Sequence, residues 1–243
     1  MASGNPLFNE KAYEEALCRT QRCEGIMTLQ GTINKAFFLL FLCMTGGVLG
    51  FRHYQAWGAF LIPIALVCLA LAMTVIFTKK TAPLLAPFYA LGEGLVLGMI
   101  SASFSTLYDG IAGQAVTITL LVFLLMLFIY KTGLIRVTRG FSTGVIAATG
   151  AVALFYVGSL VLMFFGIHVS YFTENTTTNL IINIIICVIA ALNFLLDFKF
   201  IDTLTSEVAV PKFMEWYAAF SLMVTLVWLY LDILRALGRG RSR

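Results

Sequence analysis

Apolar residues along this chain fall into seven long blocks broken by short polar intervals, at roughly 35–51, 57–78, 84–107, 112–131, 141–166, 179–202 and 213–234. A helix that crosses the ~30 Å hydrocarbon core of a bilayer needs about 20 mostly apolar residues, and each block is of that order. The pattern predicts an all-α integral membrane protein with seven transmembrane helices. It places a membrane domain at 31–237, between a polar tail at 1–30 and a basic tail at 238–243. The breaks leave no room for a separate soluble domain. No internal repeat is detectable, although many secondary transporters are built from one.

Composition fixes the solvent. The chain is 60% hydrophobic and 12% charged, where an average soluble domain is about 25% charged. Residues 1–30 lack the basic start and apolar stretch of a cleavable signal, so the first span is expected to act as its own insertion signal. Eleven Lys or Arg residues lie in the amino-terminal tail and the even-numbered breaks, against Arg52 alone in the odd-numbered ones. That bias predicts a cytoplasmic amino terminus. Arg235, Arg239, Arg241 and Arg243 oppose it, because seven crossings put them outside and a re-entrant last segment puts them inside. The length of the 213–234 block favours crossing.

Little suggests catalysis. There is no phosphate-cradling loop, nucleophile elbow or histidine-rich metal motif, so neither an enzyme nor a nucleic-acid partner is expected, and no cofactor. Cys43, Cys68 and Cys187 lie in apolar runs and read as small core residues. Cys18 and Cys23 have no recognised metal or redox spacing. His53 and His168 fall near the outer ends of helices, and the sequon at Asn175 matters only in a eukaryotic secretory compartment.

Ionisable residues inside spans are rare and are functional candidates by default. Glu93 falls near the middle of the third span. Beside it Ala90, Gly94, Gly98 and Ala102 recur every four residues, a small stripe that lets two helix backbones approach closely. The second group brackets the sixth and seventh spans. Asp202 and Glu215 are equidistant from the midpoint of the linker 205–212, which puts them at similar depth near one membrane edge. Asp197 lies five residues further in, about 7.5 Å deeper at 1.5 Å per residue. Asp232 is too far along the last helix to meet Asp202, and its expected partner is Arg235, three residues later. Neighbouring carboxylates in a poorly solvated site cannot both ionise cheaply, which makes such a cluster proton-sensitive. The same oxygens suit a hard cation such as calcium.

Four stretches together resemble the Bax inhibitor (TMBIM-type) family, in particular its bacterial YccA-like branch: "MTLQGTINKAFFLL" (27–40), "APFYALGEGLVLGMISASF" (86–104), "ALNFLLDFKFID" (191–202) and "PKFMEWYAAFSLMVTLVWLYLDILR" (211–235). The resemblance implies six helices around a central carboxyl-terminal one. It also implies a carboxylate pair, one on the sixth helix and one on the seventh, that senses pH and gates a calcium leak. The sixth-helix member lands on Asp197 or Asp202. Its seventh-helix counterpart is expected near Phe220 to Thr225, a stretch without a carboxylate that Glu215 and Asp232 bracket.

The reading that follows is a pH-regulated cation leak, with calcium and protons as its ions, in the plasma membrane of a bacterium. Asp197 is its deep sensor and cation ligand, Asp202 and Glu215 its cytoplasmic mouth, and Glu93 and Asp232 further carboxylates in the proton-sensing or gating set. The rival is a regulatory protein that binds and inhibits a membrane-anchored AAA protease or another membrane complex, with the tail 1–30 as its contact.

Overall fold

The computed structural model describes residues 25–166, 171, 176–206 and 210–242. Cys18, Cys23, His168, Asn175 and the tail as far as residue 24 lie outside these. Among the described residues seven helical segments are long and apolar enough to cross a membrane, the second of them counted from Tyr54 to Phe77. They are α1 (Leu29–Arg52), α2 (Leu61–Phe77), α3 (Ala82–Ser105), α4 (Ile111–Thr132), α5 (Arg139–Phe164), α6 (Thr177–Ser206) and α7 (Met214–Arg241). Two short helical turns, Tyr54–Trp57 and Gly58–Phe60, lead into α2.

Local chemistry explains the ends. Thr28 caps α1 by accepting the Gly31 N–H, and Thr138 caps α5 by accepting that of Phe141, supplying donors that a first helical turn otherwise leaves unpaired. Gly133 closes α4 in the left-handed region, at φ 67°, where a side chain would be strained.

α7 is the central helix and by far the most buried. It packs on α1, α3, α4 and α6, while α2 leans chiefly on α3 and α5 on α6. The outward faces carry Phe37, Phe41, Leu66, Phe88, Leu121 and Leu154, all exposed. Large apolar side chains all round a bundle are what a lipid solvent requires.

α1 and α3 make the tightest helix pair. A Cβ on Gly94 would run into the backbone of Cys43, one on Gly98 into Gly47, one on Gly46 into Leu91 and one on Gly50 into Leu95. Glycines on both helices therefore share one seam, with Ala90 and Ala102 buried along it.

α7 is longer than its apolar block. It runs through Gly238 to Arg241 and crosses the whole bundle, so residues 238–241 are helix rather than tail. Its start meets the start of α1, and at its far end Arg241 donates to the Asp109 carbonyl and to Gln114, 2.8 and 2.9 Å away.

Candidate functional site

The structure separates the carboxylates that the sequence groups together. Glu215 lies in the first turn of α7, at the helix end where the spacing puts it, but its side chain is buried rather than open to water. It is 0% exposed, inserted at the amino-terminal end of α1, where it accepts the Thr28 N–H (2.9 Å) and the Thr28 hydroxyl (3.0 Å) and pairs with Lys35. Gly31 leaves the space the carboxylate fills. The positive end of the α1 dipole adds to the attraction. Around this point Met27 N donates to Val210 O (2.9 Å) and Lys212 N to Gly25 O (3.0 Å), so the chain entering α1 is stitched to the chain entering α7. Thr28→Ala removes both the α1 cap and a partner of Glu215. It is expected to lower stability by about 1–2 kcal/mol, read as a lower melting temperature in detergent.

Asp202 is exposed and accepts the Tyr130 hydroxyl at 3.1 Å. It does not meet Glu215, whose carboxylate is committed to α1. Among the described residues no three His, Cys, Asp or Glu side chains gather closely enough to hold a metal ion. Asp197, Asp202 and Glu215 thus form no common cluster.

Asp232 meets Arg235 as the three-residue spacing expects, at 2.8 Å, and its carboxylate is 0% exposed. It belongs to a polar network that sequence reasoning missed. Tyr156 of α5 donates to the same Asp232 oxygen (3.0 Å), and Arg235 donates to the Tyr156 hydroxyl (3.0 Å). Asn183 of α6 donates to the Asp232 carbonyl at 2.7 Å. Arg239, only 8% exposed, reaches the Asn179 carbonyl (3.0 Å), the Asn183 side chain (3.1 Å) and the Tyr171 carbonyl, with its guanidinium over the Tyr171 ring. The clue in the sequence was the pair Asn179 and Asn183, one turn apart at the start of an otherwise apolar run.

Asp197 has a different setting. It is half-buried on α6 and faces the central helix. Ser221 donates to one of its oxygens at 2.8 Å and Thr225 to the other at 2.6 Å. These hydroxyls, four residues apart on one face of α7, lie in the stretch where a second carboxylate is expected. No basic side chain pairs with Asp197 among the described residues.

Glu93 is half-buried and makes no hydrogen bond or ion pair among the described residues. Its neighbours fix its place, since Gly92 faces the Cys68 sulfur of α2 and Gly94 the Cys43 backbone of α1. It therefore sits among α1, α2 and α3. Tyr89 packs edge-on to Phe220 and Ser101 bonds Tyr230, which levels Glu93 with about residue 224 of α7. Glu93 and Asp197 are at nearly the same depth on different sides of the bundle.

Of the five carboxylates singled out from the sequence, Glu215 and Asp232 carry a cation of their own and Asp202 is exposed. Asp197 and Glu93 remain as acidic groups inside the spans with no counter-charge among the described residues. The class defined by this architecture is an integral membrane protein with a central carboxyl-terminal helix and isolated intramembrane carboxylates. The Bax inhibitor 1 like family profile matches residues 5–242, and the chain belongs to that family. Comparison with curated proteins gives no match.

Proposed function

We propose that the protein is a pH-regulated cation leak, with calcium as the ion tested first and Asp197 as its proton-sensitive group. The observation that supports this most is the Asp197 site. A carboxylate held only by Ser221 and Thr225 hydroxyls gathers four hard oxygens, two carboxylate and two hydroxyl, and an uncompensated negative charge that suits a cation. Hydroxyls can turn their lone pairs to a cation as readily as their protons to a carboxylate, so the site has two states without a rotamer change. Protonation of Asp197 removes the charge and leaves a neutral hydrogen-bonded contact between α6 and the central helix.

Glu93 serves in this reading as a second acidic group at the same depth. The amino terminus is cytoplasmic, as the positive charges of that end favour. Much of the opposing charge at the far end is not free in solvent. Arg235 is ion-paired, Arg239 is buried, and Arg241 is bound to the α3–α4 connection.

The test is calcium flux into proteoliposomes, from acidic to neutral pH, for the wild-type protein and Asp197→Asn. The wild type should show flux that falls as the medium is acidified. Asp197→Asn keeps the size and most of the hydrogen bonding but should lose the pH dependence. Flux that follows pH identically in both proteins would remove Asp197 from the role. Folded wild-type protein that passes no cation at any pH would favour the protease-regulator reading instead.

A further inference from the structure

The helices around α7 leave a groove where α1 and α4 flank α3 without closing on each other. α1 and α4 both pack on α7, with at most marginal contact between them. The gap between them is a cavity of about 570 Å³, within the ~300–1,000 Å³ usual for ligand sites. Its floor is the central helix (Met223, Leu226, Val227), and its walls carry Met44 and Val48 from α1 and Val116 from α4. Water is a poor occupant, since a buried water wants two to four polar partners. The hydroxyls at the back of the cavity are already spent: Ser101 and Tyr230 bond each other at 2.6 Å, and Ser101 also bonds the Leu97 carbonyl.

The cavity has a direction. Its α1 wall runs from Leu40 to Arg52, twelve residues or about 18 Å of helix. That is close to one leaflet of a ~30 Å hydrocarbon core. Arg52 stands at the outer end of this wall, exposed and without an ion pair among the described residues. Next to it His53 stacks on Trp57 at 4.8 Å, and tryptophan is enriched where the bilayer meets water. An apolar slot one leaflet deep, open to lipid and ending in an unpaired guanidinium at the interface, matches a lipid with an anionic head.

We propose that this cavity is a phospholipid site, in which one acyl chain lies along α7 between α1 and α4 and the phosphate is bound by Arg52. The chain supplies the apolar atoms that an empty cavity would deny Met223, Leu226 and Val227. The guanidinium fork matches phosphate oxygens and stays charged at any physiological pH. The proposal does not depend on whether the protein conducts ions.

The test is native mass spectrometry of the full-length protein, released from detergent after titration with phosphatidylglycerol or with diacylglycerol of the same chains. Gly113 lines the cavity, and a Cβ there meets nothing within 4 Å, so the backbone has room to carry a side chain and Gly113→Trp is the variant that should fill the slot. Wild-type protein should carry one phosphatidylglycerol, preferred over diacylglycerol by roughly tenfold, the worth of one charge-assisted hydrogen bond. Arg52→Gln should lose the preference and bind the two alike. Gly113→Trp should bind neither while melting with the wild type. Retention of the adduct by Gly113→Trp, or equal binding of both lipids by the wild type, would overturn the assignment. So would a protein dimer in place of a lipid adduct that Gly113→Trp dissociates, since it would give the slot to a second copy.

Discussion

Gly98→Val is expected to leave little folded protein in detergent, while Gly113→Ala melts with the wild type. A Cβ on Gly98 would lie against the Gly47 carbonyl and 2.8 Å from the Phe51 nitrogen. Both obstacles are backbone, so no side chain can rotate away. Ordinary overpacking costs about 1–3 kcal/mol because neighbours give a little. Here the whole of α1 has to move off α3, and the contacts of Gly94 with Cys43 and of Gly50 with Leu95 go with it. The expected cost therefore lies above that range. Gly113, by contrast, faces open space, and alanine there gains helix propensity. Circular dichroism melts and size-exclusion profiles of the two variants make the comparison. A Gly98→Val protein melting within ~3 °C of the wild type, about 1 kcal/mol for a chain of this size, would show that α1 and α3 are not locked by close backbone approach.

The same glycines mark how far sequence carries. The spacing of Gly94 and Gly98 correctly announces that a close approach is possible, but Gly140 and Gly144 of α5 repeat it and meet nothing within 4 Å. Spacing gives the capacity of a face, and only the tertiary arrangement decides whether a neighbour uses it. The number and order of the spans were legible because lipid imposes a minimum apolar length. Their ends were not, because polar turns stay helical beyond the apolar block: α6 runs to Ser206 and α7 to Arg241. Arg239 is the clearest case. "ALGRGR" reads as a fraying basic end, yet Gly238 is what lets α7 pass the Phe104 ring, 2.8 Å from where a Cβ would stand. Counting charges also treats each arginine as solvated, which created the conflict over the last crossing. The depth of Asp197 could be counted from the linker. Its partners could not, because Ser221 and Thr225 become a site only when α6 presents a carboxylate to that face of α7.

Asp232→Ala should be the most damaging single change on the central helix. It deletes the only carboxylate in the buried network among the described residues and leaves Arg235 and Arg239 as neighbouring cations. Breaking one side of a buried ion pair costs about 3–5 kcal/mol, which for a chain of this size corresponds to a fall of roughly 6–20 °C in melting temperature. Asp232→Asn should cost less, since an amide oxygen still accepts from Tyr156 and Arg235. The decisive comparison is the double variant Asp232→Ala with Arg235→Ala. If the two residues act as a neutralised structural pair, removing both leaves one less unpaired charge, and the double variant is more stable than Asp232→Ala alone. Groups in one such network typically couple by about 0.5–3 kcal/mol. Strictly additive losses would mean that Arg235 is not what neutralises Asp232, and Asp232 would return to the set of intramembrane carboxylates open to proton exchange. Coupled losses would fix its charge within the α5–α6–α7 contact, which concentrates any proton sensitivity of this bundle on Asp197 and Glu93.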